Sequence, residues 1–205
     1  MKIISTKHGR FLICNEFETI QQSLVTTGQF ELNLVKMAAE ILKKKMGCIV
    51  DVGANIGIFT VPIAMLNRER NVFSFEPQRN VFHHLCSNIV LNQLSNVCAE
   101  KLAIGEESNC SLIEVPTFDI FKEKYTGSVS LDKDVINLRS EIPGVAEPDN
   151  YAEKYDQVVL EQLDNLIKDI PVALIKVDVE GMELSVLSSG KNLIKEFSPA
   201  LLFEA

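Results

Sequence analysis

Ile49-Val50-Asp51-Val52-Gly53-Ala54-Asn55-Ile56-Gly57 is the stretch that decides the fold. An apolar run ends in an acid and then two glycines. A glycine bend after a strand lets a ligand lie against bare backbone, and the helix that follows offers its free N–H groups to it. About twenty residues on, Phe73-Ser74-Phe75-Glu76-Pro77 is a second apolar run ending in an acid. A carboxylate at the end of a neighbouring strand is placed to grip the two hydroxyls of a ribose. Together the two runs describe a nucleoside pocket.

Working outward, residues 1–14 read as a hairpin around His8-Gly9, and apolar residues from about Gln29 to Lys45 recur at helical spacing until Gly47 stops them. Cys48–Val52 and Val72–Phe75 are strands, each followed by a helix, over 56–66 and 78–91. Pro62 is expected to bend the first of these helices. Further strands are expected at Val97–Ala103, Ser111–Val115, Gln157–Leu160, Ala173–Val177 and Ala200–Phe203. Helices are expected at Leu163–Ile170 and Met182–Leu193. Strands alternating with helices give an α/β fold on an open, mostly parallel sheet, which binds ligands at the C-terminal strand ends. Asp51, Glu76, Asp178 and Glu204 stand there. Residues 1–46 read as an N-terminal hairpin and helical cap and 47–205 as the core, within a single domain. The Pro-, Gly- and charge-rich stretch 119–155 reads as an excursion over the pocket.

At 205 residues and 46% hydrophobic, the chain can bury a sizeable core. Its formal charge of −8 weighs against nucleic acid as partner. No apolar run is long enough to span a bilayer, so no membrane partner is expected, and Met1–Thr6 turns polar too soon for a signal peptide. The five cysteines form no C-x-x-C pair, so reduced, semi-buried thiols in a cytoplasmic protein are the expectation. His83 and His84 are adjacent on a helix and diverge, so no metal is expected.

The bend also narrows the ligand. A dinucleotide turn places a second glycine where Asn55 stands, and a P-loop needs a Gly-Lys-Ser/Thr that is missing here. A ligand with a ribose and no phosphates fits better. S-adenosylmethionine is one, and its sulfonium suits an acid-lined cleft.

Beyond the bend and Phe75-Glu76-Pro77, the chain carries Asn88-x-x-x-Asn92, Leu163-Asp164-Asn165-Leu166 and Ile175-Lys176-Val177-Asp178-Val179-Glu180-Gly181-Met182-Glu183. With Gly28-x-Phe30-Glu31 ahead of them and Phe203-Glu204 after, these motifs resemble, in order, the FkbM family of S-adenosylmethionine-dependent methyltransferases. The resemblance implies a class I methyltransferase (Rossmann-like) three-layer sandwich. It also implies methyl transfer to oxygen, often on a saccharide or small natural product. The family continues past the fifth strand into a closing pair of strands; with the sequence ending at Ala205, either that pair is missing or the sheet edge is built differently.

On that reading Asp51, Gly53, Asn55 and Gly57 line the methionine half of the cofactor, and Glu76 takes the ribose. Ala103 and Ile104 either flank the adenine or simply pack the core. Lys176, Asp178 and Glu180 share one side of an extended strand. A lysine in an apolar strand needs a partner, and Asp178, Glu180 or Glu204 could supply it. Asp178 is the expected general base and Glu180 the orienting acid, against the alternative of a purely structural ion network. Asn88 and Asn92 read as helix-to-loop hydrogen bonders, Glu183 as a helix cap, and Tyr125, Ser128 and Arg139 as candidate substrate contacts. Two rivals stand beside the O-methyltransferase. One is a non-catalytic nucleoside-binding or scaffold domain, the other a methyltransferase acting on nitrogen or nucleic acid.

Overall fold

The computed structural model describes residues 1–107, 111–122 and 154–203. Most of the expected excursion lies outside them, as do Tyr125, Ser128, Arg139 and Glu204. Among the described residues the core is a five-stranded parallel sheet in the order β10 (Ala200–Phe203), β9 (Val172–Val177), β3 (Cys48–Val52), β4 (Val72–Phe75), β5 (Val97–Glu100). The central β3 is buried at every position, which explains why all its residues but Asp51 are apolar. Ile49 joins the core shared with α2 (Leu32–Leu42) and α3 (Thr60–Leu66). Val50 and Val52 join the opposite core, shared with α6 (Glu183–Ser189) and α7 (Lys191–Phe197). These two apolar layers make a three-layer sandwich.

Register puts one polar row across the centre of this sheet. Asp51 of β3 sits beside Ser74 of β4 on one flank and Lys176 of β9 on the other. All three are buried, and partners in a parallel ladder point to the same face.

The N-terminal hairpin, β1 (Lys2–Thr6) and β2 (Gly9–Ile13), docks on α4 (Arg79–Leu91). Asn88 Oδ1 accepts from Leu12 N–H at 2.8 Å while its Nδ2 donates to Ile56 O at 2.8 Å. Asn92 accepts from Arg10 N–H at 2.8 Å and donates to Arg10 O at 2.7 Å. The two asparagines therefore bond helix to loop and strand, as their spacing suggested.

Several elements depart from the sequence reading. A helix over Thr19–Thr27, α1, was not foreseen. The helix expected at 56–66 begins only at Thr60, so Pro62 falls in its first turn, where no intrahelical N–H is needed, and no bend is required. The strand expected at 97–103 is two: β5, and a short β6 (Ala103–Ile104) in a second sheet with β7 (Ser111–Thr117) and β8 (Lys154–Glu161). The helix at 163–170 is only α5 (Leu163–Leu166), and the one at 182–193 breaks at Gly190, which lies against Leu163. No described helix is long and apolar enough to cross a membrane, and no described group of three or more His, Cys, Asp or Glu could hold a metal. Burial pushes the Cys48 thiol up to about 11, so it is a neutral core residue.

Candidate active site

A cavity of about 310 Å³ opens at the C-terminal ends of β3, β4 and β9, within the usual size for small-ligand pockets. Gly53, Asn55, Glu76, Ala103, Ile104, Lys176, Asp178 and Glu180 all line it. The bend itself is fixed from β4. Gly53 N–H and Ala54 N–H both donate to Phe75 O at 3.0 Å. Gly53 takes φ +75°, and a Cβ there would stand 1.8 Å from Asp178 O. Only glycine lets the β3 and β9 loops approach this closely.

Glu76 joins the same construction through its side chain. Oε2 accepts from Asn55 N–H at 2.9 Å and Oε1 from Gln78 N–H at 2.9 Å. Burial pushes its carboxyl up to about 7, opposed by those two N–H groups and by the Lys176 ammonium. Each oxygen holds one backbone N–H, which leaves acceptor capacity for hydroxyls in the cavity. A ribose diol fits this donor and acceptor set.

That raised pKa has a consequence for stability. The unfolded carboxyl titrates near 4.5 and the folded one near 7, so the folded chain binds the extra proton between those values. Stability from this group therefore falls as pH rises through that window, by about 3 kcal/mol in total. Melting curves at pH 5.5 and pH 8, run beside Glu76→Gln, isolate the contribution. The variant is expected to lose this part of the pH dependence.

Lys176 is 4% exposed yet charged. Burial pulls its pKa down, but Asp51 and Asp178 more than offset this and hold the ammonium above its ordinary value. Its Nζ donates to Gly53 O at 3.0 Å and lies 3.2 Å from Asp178 Oδ2 and 3.3 Å from Asp51 Oδ1. Asp51, a strand away, is a partner the sequence reading did not name. Glu180 departs from expectation differently. β9 ends at Val177 and Glu180 has φ +55°, so strand alternation does not carry to it; it reaches the cavity from the loop. Glu183 caps that loop, accepting from Val179 N–H at 3.3 Å and Gly181 N–H at 3.1 Å.

Two residues expected against the ligand stand behind the cavity wall instead. Asp51 is fully buried, with Oδ2 accepting from Thr60 Oγ1 at 2.6 Å. Gly57 packs beneath, facing Leu85 and Val61. Conversely, Glu18, Thr19 and Ile20 at the start of α1 line the cavity, as does Phe30. Glu18 caps α1 by accepting from Ile20 N–H at 3.2 Å and Gln21 N–H at 3.0 Å. A glutamate is an uncommon cap, which is why α1 and its cavity wall escaped the sequence reading.

A parallel sheet with a glycine bend on β3 and a buried acid just past β4, both facing one cavity, defines a nucleoside-binding α/β fold. The profile of the methyltransferase FkbM domain matches residues 51–205. The chain belongs to this FkbM methyltransferase family. A tRNA(Phe) (4-demethylwyosine(37)-C(7)) aminocarboxypropyltransferase of Methanocaldococcus jannaschii is 30% identical over 103 residues, covering 45% of this chain and 41% of that one. Methyltransferase 1 of Beauveria bassiana is 29% identical over 151 residues, covering 68% of this chain and 56% of the relative. The chain thus spans about half the length of these curated relatives. Among solved structures, a SAM-dependent methyltransferase of Agrobacterium tumefaciens aligns over 96% of this chain and 48% of its own, at 8% identity and a TM-score of 0.41. A Pyrococcus abyssi tRNA (uracil-54, C5)-methyltransferase in complex with S-adenosyl-L-homocysteine aligns over 48% and 23%, at 21% identity and a TM-score of 0.36.

Proposed function

We propose that the chain is an S-adenosylmethionine-dependent O-methyltransferase acting on a hydroxyl of a saccharide or small natural product. The observation that carries this reading is the meeting of Gly53, Glu76 and Asp178 on one cavity in a chain of the FkbM methyltransferase family. When bound, the cofactor supplies an electrophilic methyl on a sulfonium. Glu76 would accept hydrogen bonds from the ribose hydroxyls, and the Gly53–Asn55 backbone, on the same cavity, would hold the rest of the cofactor. Asp178, with a side chain 33% exposed beside Lys176, takes the proton of the acceptor hydroxyl. The methyl would pass from sulfur to that oxygen with the C–S electron pair left on sulfur, so the product would be neutral S-adenosylhomocysteine.

Calorimetric titration with S-adenosylhomocysteine tests the cofactor half. Micromolar or tighter binding is expected, and folded protein that does not bind ends the reading. Glu76→Ala is expected to weaken that binding about 10- to 100-fold, the worth of hydrogen bonds to a charged acceptor. Binding should also weaken below pH 7, as the Glu76 carboxyl gains the proton that blocks one acceptor site. Asp178→Asn tests the base: methylation across a panel of hydroxyl compounds is expected to drop about 10²- to 10⁴-fold. Normal turnover would remove Asp178 from the role.

The Methanocaldococcus relative favours one alternative, transfer of the aminocarboxypropyl group. The product decides: methyl transfer leaves S-adenosylhomocysteine, the alternative leaves methylthioadenosine. The −8 charge weighs against a tRNA acceptor for the residues present here.

A further inference from the structure

We infer that Asp51 and Lys176 form a positioning pair that sets the cavity wall: Asp51, behind the wall, holds the ammonium, and the ammonium pins the Gly53 carbonyl and the Asp178 carboxylate. The inference rests on the cavity being the cofactor site.

The pair is built to be rigid. Register alone places Lys176 beside Asp51 on the adjoining strand. Asp51 is held from its other side by Thr60 Oγ1 at 2.6 Å, and that hydroxyl is 2.9 Å from Ser74 Oγ. The chain Ser74–Thr60–Asp51–Lys176 thus ties β4, α3, β3 and β9 together behind the wall. Its last atom, Lys176 Nζ, meets the two loops that form the cavity floor, through Gly53 O at 3.0 Å and Asp178 Oδ2 at 3.2 Å. An apolar residue at 176 would leave the Gly53 carbonyl without this donor. Asp51 does not line the cavity, so it acts on a ligand without touching it, through Lys176 and through its charge on Glu76. This assigns Asp51 a task other than touching the cofactor.

The test is the charge-neutral double variant Asp51→Asn/Lys176→Met. Replacing a buried ion pair with neutral groups is often close to neutral for stability, so the fold is expected to survive. Lys176 lowers the Glu76 pKa and Asp51 raises it, so the double variant removes two opposed influences on Glu76 rather than one. Two readouts follow. The double variant is expected to bind S-adenosylhomocysteine about tenfold more weakly at a melting temperature close to the parent's. Its backbone amides at Gly53–Asn55 and Asp178–Val179 are expected to exchange with deuterium at least tenfold faster than in the parent, while those of β5 stay as they were. A purely structural pair would shift all amides together or none. Parental exchange at the two loops overturns the inference, as does parental affinity. If the parent itself fails to bind, the cofactor reading falls while the exchange data still judge the pair. Thr60→Val, which keeps both charges, repeats the test should the double variant not fold. It is expected to weaken binding about threefold with the same local gain in exchange, and unchanged exchange there overturns the inference.

Discussion

Gly53→Ala is expected to abolish cofactor binding and to destabilise the fold by several kcal/mol. The methyl would lie 1.8 Å from Asp178 O and 2.8 Å from Asp178 C, both backbone atoms. No side-chain rotation relieves that overlap, so β3 and β9 must part at their C-terminal ends. The hydrogen bond from Asp178 N–H to Val52 O, 3.1 Å long, breaks with them. Left-handed backbone at φ +75° adds about 1 kcal/mol for any residue with a Cβ. Gly28→Ala is the control. It has φ +72° but nothing within 4 Å of the added carbon, so it is expected to cost only the conformational part, about 1 kcal/mol. Urea unfolding of the two variants separates the contributions. Equal losses would mean that the loops can move apart freely.

Lys176→Met alone is the second large effect. It strands the Asp51 carboxylate, which has no exposure to water, without its ammonium. Breaking one side of a buried pair costs about 3–5 kcal/mol, because the remaining charge is neither solvated nor paired. Much of a single domain's margin is then gone. Adding Asp51→Asn in the same chain is expected to return most of that stability. Denaturation midpoints of the single and double variants measure the recovery, and no recovery would show that Lys176 stabilises by packing its stem rather than by charge.

What was legible in the sequence had a short physical range. The bend at Gly53 and the acid at Glu76 follow from apolar runs that end in punctuation, and both stand where those runs place them. A charged residue in an apolar strand announces that it has a partner, but not which one. The partner Asp51 lies on a neighbouring strand, and only register reveals it. Glu180 was misjudged because a strand was extended past Val177, where left-handed backbone ends the alternation. Pro62 was misjudged because the helix start was set four residues early, and the same proline is harmless in a first turn. The break at Gly190 depends on its packing against Leu163, a contact that no local pattern encodes. Helix α1 was hidden by its polar surface residues and its glutamate cap.

The amides of Asn88 and Asn92, in α4 and at its C-terminal cap, hold the backbone of Arg10 and Leu12 and make the first hairpin and the fourth helix one mechanical unit. Because the amides grip backbone N–H and C=O groups rather than side chains, a hairpin of different sequence could be grafted in its place so long as the host helix keeps both asparagines.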